Sequence, residues 1–191
     1  MTNPQADALA FESPKDLADW LAEHHANSGE LWVRIYKANS RQRSVTWADC
    51  VVEAIRFGWI DGLKRSADDR SYLQRLTPRQ AGSSWSNKNR EHADRLIAEA
   101  RMTPAGLAHV EAARADGRWD AAYKGSATMV IPQDFLEALA SLTEAEAFFR
   151  TLDRKNLYPI YYRLQTAKRP ETRARRMQQI LEQLGRGERF H

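Results

Sequence analysis

The stretch that decides the fold is residues 59–76, which reads WIDGLKRSADDRSYLQRL. Its two ends, residues 59–64 and 71–76, are rich in strand-forming side chains, and Ala67-Asp68-Asp69 between them is typical of a turn. An isolated two-stranded hairpin is marginally stable in water. We therefore expect this hairpin to pack against other elements of the chain.

Helix signals surround the hairpin. Ser13-Pro14 and Thr46-Trp47-Ala48-Asp49 are N-terminal capping patterns, and from Ser86 to about Leu184 helix starts and stops recur. Residues 30–36 alternate between apolar and polar positions and predict a further strand. The sequence thus predicts an α+β, mostly helical fold. A small three-stranded, largely antiparallel sheet in the N-terminal half packs on helices, and a C-terminal helical bundle follows.

The length of 191 residues is typical of one domain. We expect residues 1–10 to form a flexible tail and residues 11–191 a single domain. The irregular stretch at residues 117–132 is a soft boundary, after which a C-terminal helical subdomain could begin at about residue 132.

Composition favours a cytoplasmic protein. The single cysteine, Cys50, rules out a disulfide within the chain and fits a reducing compartment. The N-terminus lacks a basic start followed by an apolar core, so we expect no signal peptide, and no apolar run is long enough to span a membrane. The formal charge of +4 allows an acidic partner but does not require nucleic acid.

Polar and aromatic side chains concentrate in residues 57–89. The carboxylate there can accept hydrogen bonds or act as a base, the arginines can present planar forks to an anion, and the tryptophans can form stacking walls. The serines and the free amides of the following helix could seat an anion. We therefore predict a ligand site, with Asp61 as the candidate catalytic residue, lined by Trp59, Asp61, Arg75, Arg79, Ser84, Trp85, Ser86 and Asn89.

The same residues also have a structural interpretation. Gly58 and Gly62 could serve only as turn residues, and Ser86 only as a helix cap. Asp61 could pair with Arg75 or Arg79 and join the sheet to the next helix, since ion-pair networks produce similar patterns.

Motifs for metals, cofactors and nucleophiles are weak. His24 and His25 are adjacent and point apart on a helix, and no Cys/His cluster has zinc spacing. Cys50 begins an apolar run and is most simply a buried core thiol. The sequence contains neither a phosphate-binding glycine loop nor a serine nucleophile elbow. We predict no metal and no cofactor.

Four strings in the chain resemble one family of bacterial proteins. They are Phe57-Gly58-Trp59-Ile60-Asp61-Gly62, then Thr77-Pro78-Arg79 followed by Trp85-Ser86 and Asn89, then Arg101-Met102-Thr103-Pro104-Ala105-Gly106-Leu107, and Thr166-Ala167-Lys168-Arg169-Pro170-Glu171-Thr172-Arg173. The chain resembles the YdeI/OmpD-associated family, also labelled bacteriocin-protection proteins, from about Phe11 onward. The resemblance implies a link to envelope stress or protection against antimicrobial peptides. It implies no particular reaction and no cofactor.

Three functions remain open on these observations. The leading hypothesis is a non-enzymatic stress- or antimicrobial-protection protein that binds a small polar or anionic ligand in the predicted site. The alternative is a hydrolase or transferase with Asp61 as general base and Arg75 or Arg79 stabilising negative charge. The third is nucleic-acid binding through the basic residues 168–176, although a solvated helix docked on the core is the favoured interpretation of that stretch. The ligand and the oligomeric state stay open.

Overall fold

The structure, a computed structural model, describes residues 7–190 of the chain. Helices account for 49% of the residues and strands for 14%. The elements are, in chain order, α1 (Pro14–His24), β1 (Leu31–Tyr36), a 3₁₀ turn (Ala38–Ser40), α2 (Trp47–Arg56), β2 (Trp59–Ser66), β3 (Ser71–Pro78), α3 (Asn87–Ala98), α4 (Pro104–Ala115), α5 (Gln133–Ala140), α6 (Thr143–Phe149), α7 (Arg154–Gln165) and α8 (Pro170–Gly185).

The chain divides into two compact units, Met1–Ala121 and Ala122–His191, called here the N-terminal and C-terminal units. The subdomain predicted from about residue 132 lies within the second. Of the tail predicted over residues 1–10, residues 1–6 lie outside the described residues. Leu9 is hydrogen-bonded to β1, because its N–H donates to the Trp32 oxygen at 2.9 Å and its oxygen accepts from the Arg34 N–H at 2.8 Å.

The three strands form one antiparallel sheet in the order β1-β3-β2. This confirms the predicted hairpin and the predicted fold class. The register pairs Trp59 with Pro78 and Asp61 with Leu76, and a bulge follows between Asp61 and Lys64. One face of the sheet is apolar, as the alternation in β1 predicts, and its side chains pack into a core with α1 and α2. That core includes Leu17, Leu21, Leu31, Val33, Ile35, Cys50, Ala54, Trp59 and Leu76.

Local capping explains where the first helices begin. Thr46 and Asp49 form the predicted capping box of α2, in which each side chain accepts from the other residue's backbone N–H. Ser13 and Asp16 form a second capping box at the start of α1. The sequence pattern Ser13-Pro14 predicts the cap and the proline but not the role of Asp16.

The C-terminal unit is built from α5 to α8 around its own apolar core. The buried side chains of that core are Phe135, Leu139, Ala145, Leu152, Ile160, Leu164, Ile180 and Leu184. Their spacing places one stripe of each helix inward. Within residues 7–190, no helix is both long and apolar enough to cross a membrane.

The end of α2 is held against the start of α4. The Thr103 hydroxyl, which caps α4, donates to the Arg56 carbonyl oxygen at 2.6 Å. Gly106 lies so close that an added Cβ would be 2.8 Å from the Ile55 carbonyl oxygen and closer still to that of Arg56. The contact therefore requires a residue without a side chain.

We predict that Gly106→Ala destabilises the protein by about 2–3 kcal/mol, because the methyl group meets backbone atoms that cannot move independently. Urea unfolding measures the change. Gly29→Ala is the matched control in the same unit, since a Cβ there has nothing within 4 Å. The close contact of α2 with α4 would be contradicted if the two variants were equally stable.

Candidate ligand site: an arginine–tryptophan cluster

Arg79 lies where the chain leaves β3, and it is almost completely buried, at 4% exposed. Its backbone N–H donates to the Gly58 oxygen at 3.0 Å. Its guanidinium carbon stands 3.9 Å from the centre of the Trp85 ring, and Nη1 donates to the Ser84 oxygen at 3.1 Å. A guanidinium over an indole face is a favourable cation–π arrangement. Arg79 and the loop after β3 therefore hold each other in place.

A second tryptophan extends this arrangement. Trp119 meets Trp85 edge-on, with ring centroids 4.9 Å apart. Arg90 and Arg114 lie over Trp119 at 5.3 and 4.9 Å, and Nη1 of Arg118 donates to the Ser83 oxygen at 2.9 Å. We call this group the arginine–tryptophan cluster; its members are Arg79, Trp85, Arg90, Arg114, Arg118 and Trp119.

The cluster carries an excess of positive charge. Asp94 pairs with Arg114 at 3.0 Å and Asp116 with Arg118 at 2.7 Å, and both carboxylates are about half exposed. Exposed ion pairs are screened by water and contribute little. Four guanidinium groups thus share two solvated carboxylates, which favours the approach of an anion.

The indole N–H of Trp85 is a buried donor. Trp85 is 1% exposed, and its Nε1 has no hydrogen-bond partner among residues 7–190. Leaving such a donor unsatisfied costs about 1–3 kcal/mol, so buried polar groups nearly always have a partner. A hydrogen-bond acceptor from outside the chain would remove this cost.

His109 on α4 borders the same region. Burial lowers its pKa below the ordinary value, and the positive charges of Arg79 and Arg118 lower it further. Its ring also explains Gly58, which has a φ of +75° and would place a Cβ 2.8 Å from His109 Cδ2. Glycine there satisfies both the left-handed backbone and the close approach.

Five of the predicted site residues lie together in this region. Arg79, Ser84 and Trp85 make the contacts described above. Ser86 caps α3, because its hydroxyl oxygen accepts from the Asn89 N–H at 3.1 Å. The structural role foreseen for Ser86 is confirmed, since the oxygen proposed for an anion seat is used as a cap.

The other three predicted residues have separate partners. The indole N–H of Trp59 donates to the His25 oxygen at 3.1 Å in the core. Asp61 accepts from the indole N–H of Trp47, also at 3.1 Å. Arg75 pairs with Glu30 at 2.7 Å.

The structural interpretation paired Asp61 with Arg75 or Arg79; Arg75 pairs with Glu30 instead, and the strand register explains why. Asp61 is directly opposite Leu76, so these two side chains project from the same face of the sheet. Arg75 precedes Leu76 and therefore projects from the other face. The same geometry separates Asp61 from Arg75, one of the two cations that the enzyme alternative named.

Cys50 is the buried core thiol that its apolar neighbours predict. Burial, with smaller effects of Asp49 and Asp61, raises its pKa to about 12. A thiol that stays protonated is a poor nucleophile.

The basic C-terminal stretch is partly neutralised inside its own unit. Arg173 forms a two-pronged ion pair with Asp134 on α5. Nη1 of Arg176 donates to the Arg163 oxygen at 2.8 Å. These contacts agree with the solvated, docked helix favoured for this stretch.

Sequence reasoning missed most of the cluster. The residues that were not proposed as site residues are Arg90, His109, Arg114, Arg118 and Trp119. The available signal was Gly117-Arg118-Trp119 after α4, where Gly117 has a φ of +78° and ends the helix.

Comparison with known proteins finds family matches for two parts of the chain. A family model described as Domain of unknown function (DUF8412) matches residues 9–109, more than half of the chain. A model described as Bacteriocin-protection, YdeI or OmpD-Associated matches residues 128–187. The fold and these matches define an α+β protein with a YdeI-type helical C-terminal part. The chain belongs to the DUF8412 family, and its resemblance to the YdeI/OmpD-associated proteins is confirmed. No curated protein and no solved structure gives a significant match.

We predict that Arg118→Gln raises the pKa of His109 toward its ordinary value, because one of the two repelling charges is removed. The pH titration of the imidazole resonances by NMR measures it. His92 is the internal control: its pKa is lowered by burial and by Lys88 and Arg95, and it should not change. Equal shifts of both histidines, or none, would show that Arg118 does not act on His109.

The lowered pKa also fixes the sign of a stability effect. The unfolded chain binds the His109 proton more tightly than the folded protein does. The contribution of His109 to the free energy of unfolding is therefore fully present above its unfolded-state pKa, and it is lost as the pH falls from there through the lower folded-state pKa. Replacing His109 by Gln should therefore flatten this part of the stability profile below neutral pH.

Proposed function

We propose that this YdeI-like protein is a cytoplasmic, non-enzymatic stress- or antimicrobial-protection protein that binds a small anion at the arginine–tryptophan cluster. The observation that supports the proposal most is the buried N–H of Trp85, which lacks an acceptor among the described residues. Because the Arg79 guanidinium covers the same ring, an acceptor with negative charge fits best.

Burial limits the size of the ligand. Arg79 and Trp85 are almost inaccessible, whereas Arg118 and His109 are partly exposed at the edge of the cluster. A free carboxylate or phosphate group can enter by displacing such edge side chains, while a large molecule would have to open the loop at residues 83–86. We therefore propose a ligand with the bulk of acetate or inorganic phosphate, or a larger molecule that inserts one such group.

The arrangement supports binding better than catalysis. The enzyme alternative placed Asp61 beside Arg75 or Arg79. The Asp61 carboxylate accepts from the indole N–H of Trp47 and lies on the opposite face of the sheet from Arg75. The groups gathered in the cluster are mainly donors and cations, which stabilise a bound negative charge.

We expect Trp85→Phe to weaken binding of acetate or phosphate at this site by about tenfold, because a hydrogen bond to a charged group is lost while the apolar ring is kept. Isothermal titration calorimetry on the full chain measures it. Trp59→Phe is the matched control: it removes an indole N–H of the same unit that donates to His25 and should leave anion affinity unchanged.

Arg79→Lys tests the cation separately, since it keeps the charge but loses the planar fork. It should also weaken binding. The proposal fails if the wild type binds neither anion at millimolar concentration, or if Trp85→Phe binds as tightly as Trp59→Phe.

A further inference from the structure

A polar pocket of about 320 Å³ lies between α7 and α8 in the C-terminal unit. Its lining residues are Tyr162, Arg163, Thr166, Arg176 and Gln179. The volume is at the lower end of the range for small-molecule sites. Two of the five lining residues are arginines, and none is acidic.

Within the described residues, the two arginines of the pocket are not paired with carboxylates. Arg150, Arg173 and Arg186 each form an ion pair with a carboxylate of the same unit. In the part of the chain that the structure describes, neither Arg163 nor Arg176 has a carboxylate within 4 Å, the distance that defines these ion pairs. Their positive charges therefore face the pocket without a counter-charge from the chain.

Hydrogen bonds fix the orientation of Arg176. Its Nη1 donates to the Arg163 oxygen at 2.8 Å and lies 3.4 Å from the Thr166 hydroxyl, which itself donates to the Tyr162 oxygen at 2.7 Å. The Nη1 atom of Arg176 is thus bound to the C-terminal end of α7, and the other two guanidinium nitrogens can donate to a ligand. Arg163 is exposed and contacts the chain through the Phe190 ring, 5.4 Å from its guanidinium carbon.

An aromatic wall stands beside the two cations. Tyr162 is 39% exposed, and its ring meets Tyr123 edge-on at 5.1 Å and lies 6.1 Å from Tyr158. The ring is held by these contacts while part of its surface stays open. An exposed, supported aromatic ring is a suitable surface for a planar group.

We infer that this pocket binds a small molecule that carries a phosphate monoester and a planar ring, as a mononucleotide does. Arg163 and Arg176 hold the phosphate, and Tyr162 contacts the ring. Phosphate fits better than carboxylate because it is close to doubly charged at neutral pH and offers three acceptor oxygens to two guanidinium groups. This site is separate from the arginine–tryptophan cluster and lies in the segment matched by the YdeI/OmpD-associated model.

A small ligand agrees with the contacts of α8 better than a nucleic-acid strand does. Binding along a strand needs a row of available cations. Arg173 is used by Asp134, and two of the five residues that line the pocket, Arg163 and Arg176, carry positive charge.

The test is calorimetric titration of the full chain with adenosine 5′-monophosphate, inorganic phosphate and adenosine. We expect the monophosphate to bind most tightly, inorganic phosphate more weakly and adenosine not measurably. Arg163→Gln should weaken monophosphate binding about tenfold, as the loss of one charge-assisted contact implies. Arg175→Gln is the matched control, because it removes an equal charge from the residue next to Arg176 on α8, at an exposed position outside the pocket lining.

Tyr162→Ala separates the two parts of the ligand. It should weaken binding of the monophosphate and leave binding of inorganic phosphate unchanged. Monophosphate binding to the pocket should persist in Trp85→Phe, because Trp85 belongs to the arginine–tryptophan cluster and not to the pocket. This variant therefore separates a failure of the pocket inference from a failure of the proposed anion site.

Three results would overturn the inference. One is no binding of the monophosphate at millimolar concentration. Another is an equal loss of affinity in Arg163→Gln and Arg175→Gln, which indicates only general attraction by positive charge. The third is tighter binding of a single-stranded oligonucleotide with a steep salt dependence, which indicates a nucleic-acid surface instead.

Discussion

The candidate site of the N-terminal unit depends most on the contacts of the buried Arg79 guanidinium with Trp85 and Ser84. Removing a cation from water is costly unless the protein replaces its hydration. The Trp85 face and the Ser84 oxygen do so, while the Arg79 backbone N–H bonds to Gly58 at the end of α2. One residue thereby connects the end of β3, the end of α2 and the loop that leads into α3.

The position of Arg79 also affects His109 on α4. Gly58 adopts a left-handed backbone, and the bare Cα admits the His109 ring. Burial, and then the positive charges of Arg79 and Arg118, lower the pKa of His109 below its ordinary value. Positive charge, a neutral imidazole and an unsatisfied indole N–H therefore meet in one place. A small anion bound there would be attracted by the guanidinium groups and would accept from the indole N–H, which is the physical basis of the proposed function.

The sequence predicted the fold well because its strongest signals are local. The Thr46–Asp49 capping box and the turn at Asp68 involve residues a few positions apart. The site was predicted only in part. Residues 79–89 are neighbours in the chain and lie together in the structure. Asp61 and Arg75 lie on opposite faces of the sheet. Composition alone could not predict this, because it does not specify the strand register. Arg118 was missed because it reaches Ser83 across 35 positions.

The NMR resonance of the Trp85 indole N–H is the most direct measure of anion binding at the arginine–tryptophan cluster. This resonance can be followed while acetate or phosphate is added to the full chain, with the indole N–H of Trp59 as an internal reference. If an anion accepts from Trp85, its proton resonance moves downfield and saturates, while that of Trp59 stays constant. If the Trp85 resonance does not move, or both move together without saturating, the arginine–tryptophan cluster is not an anion site.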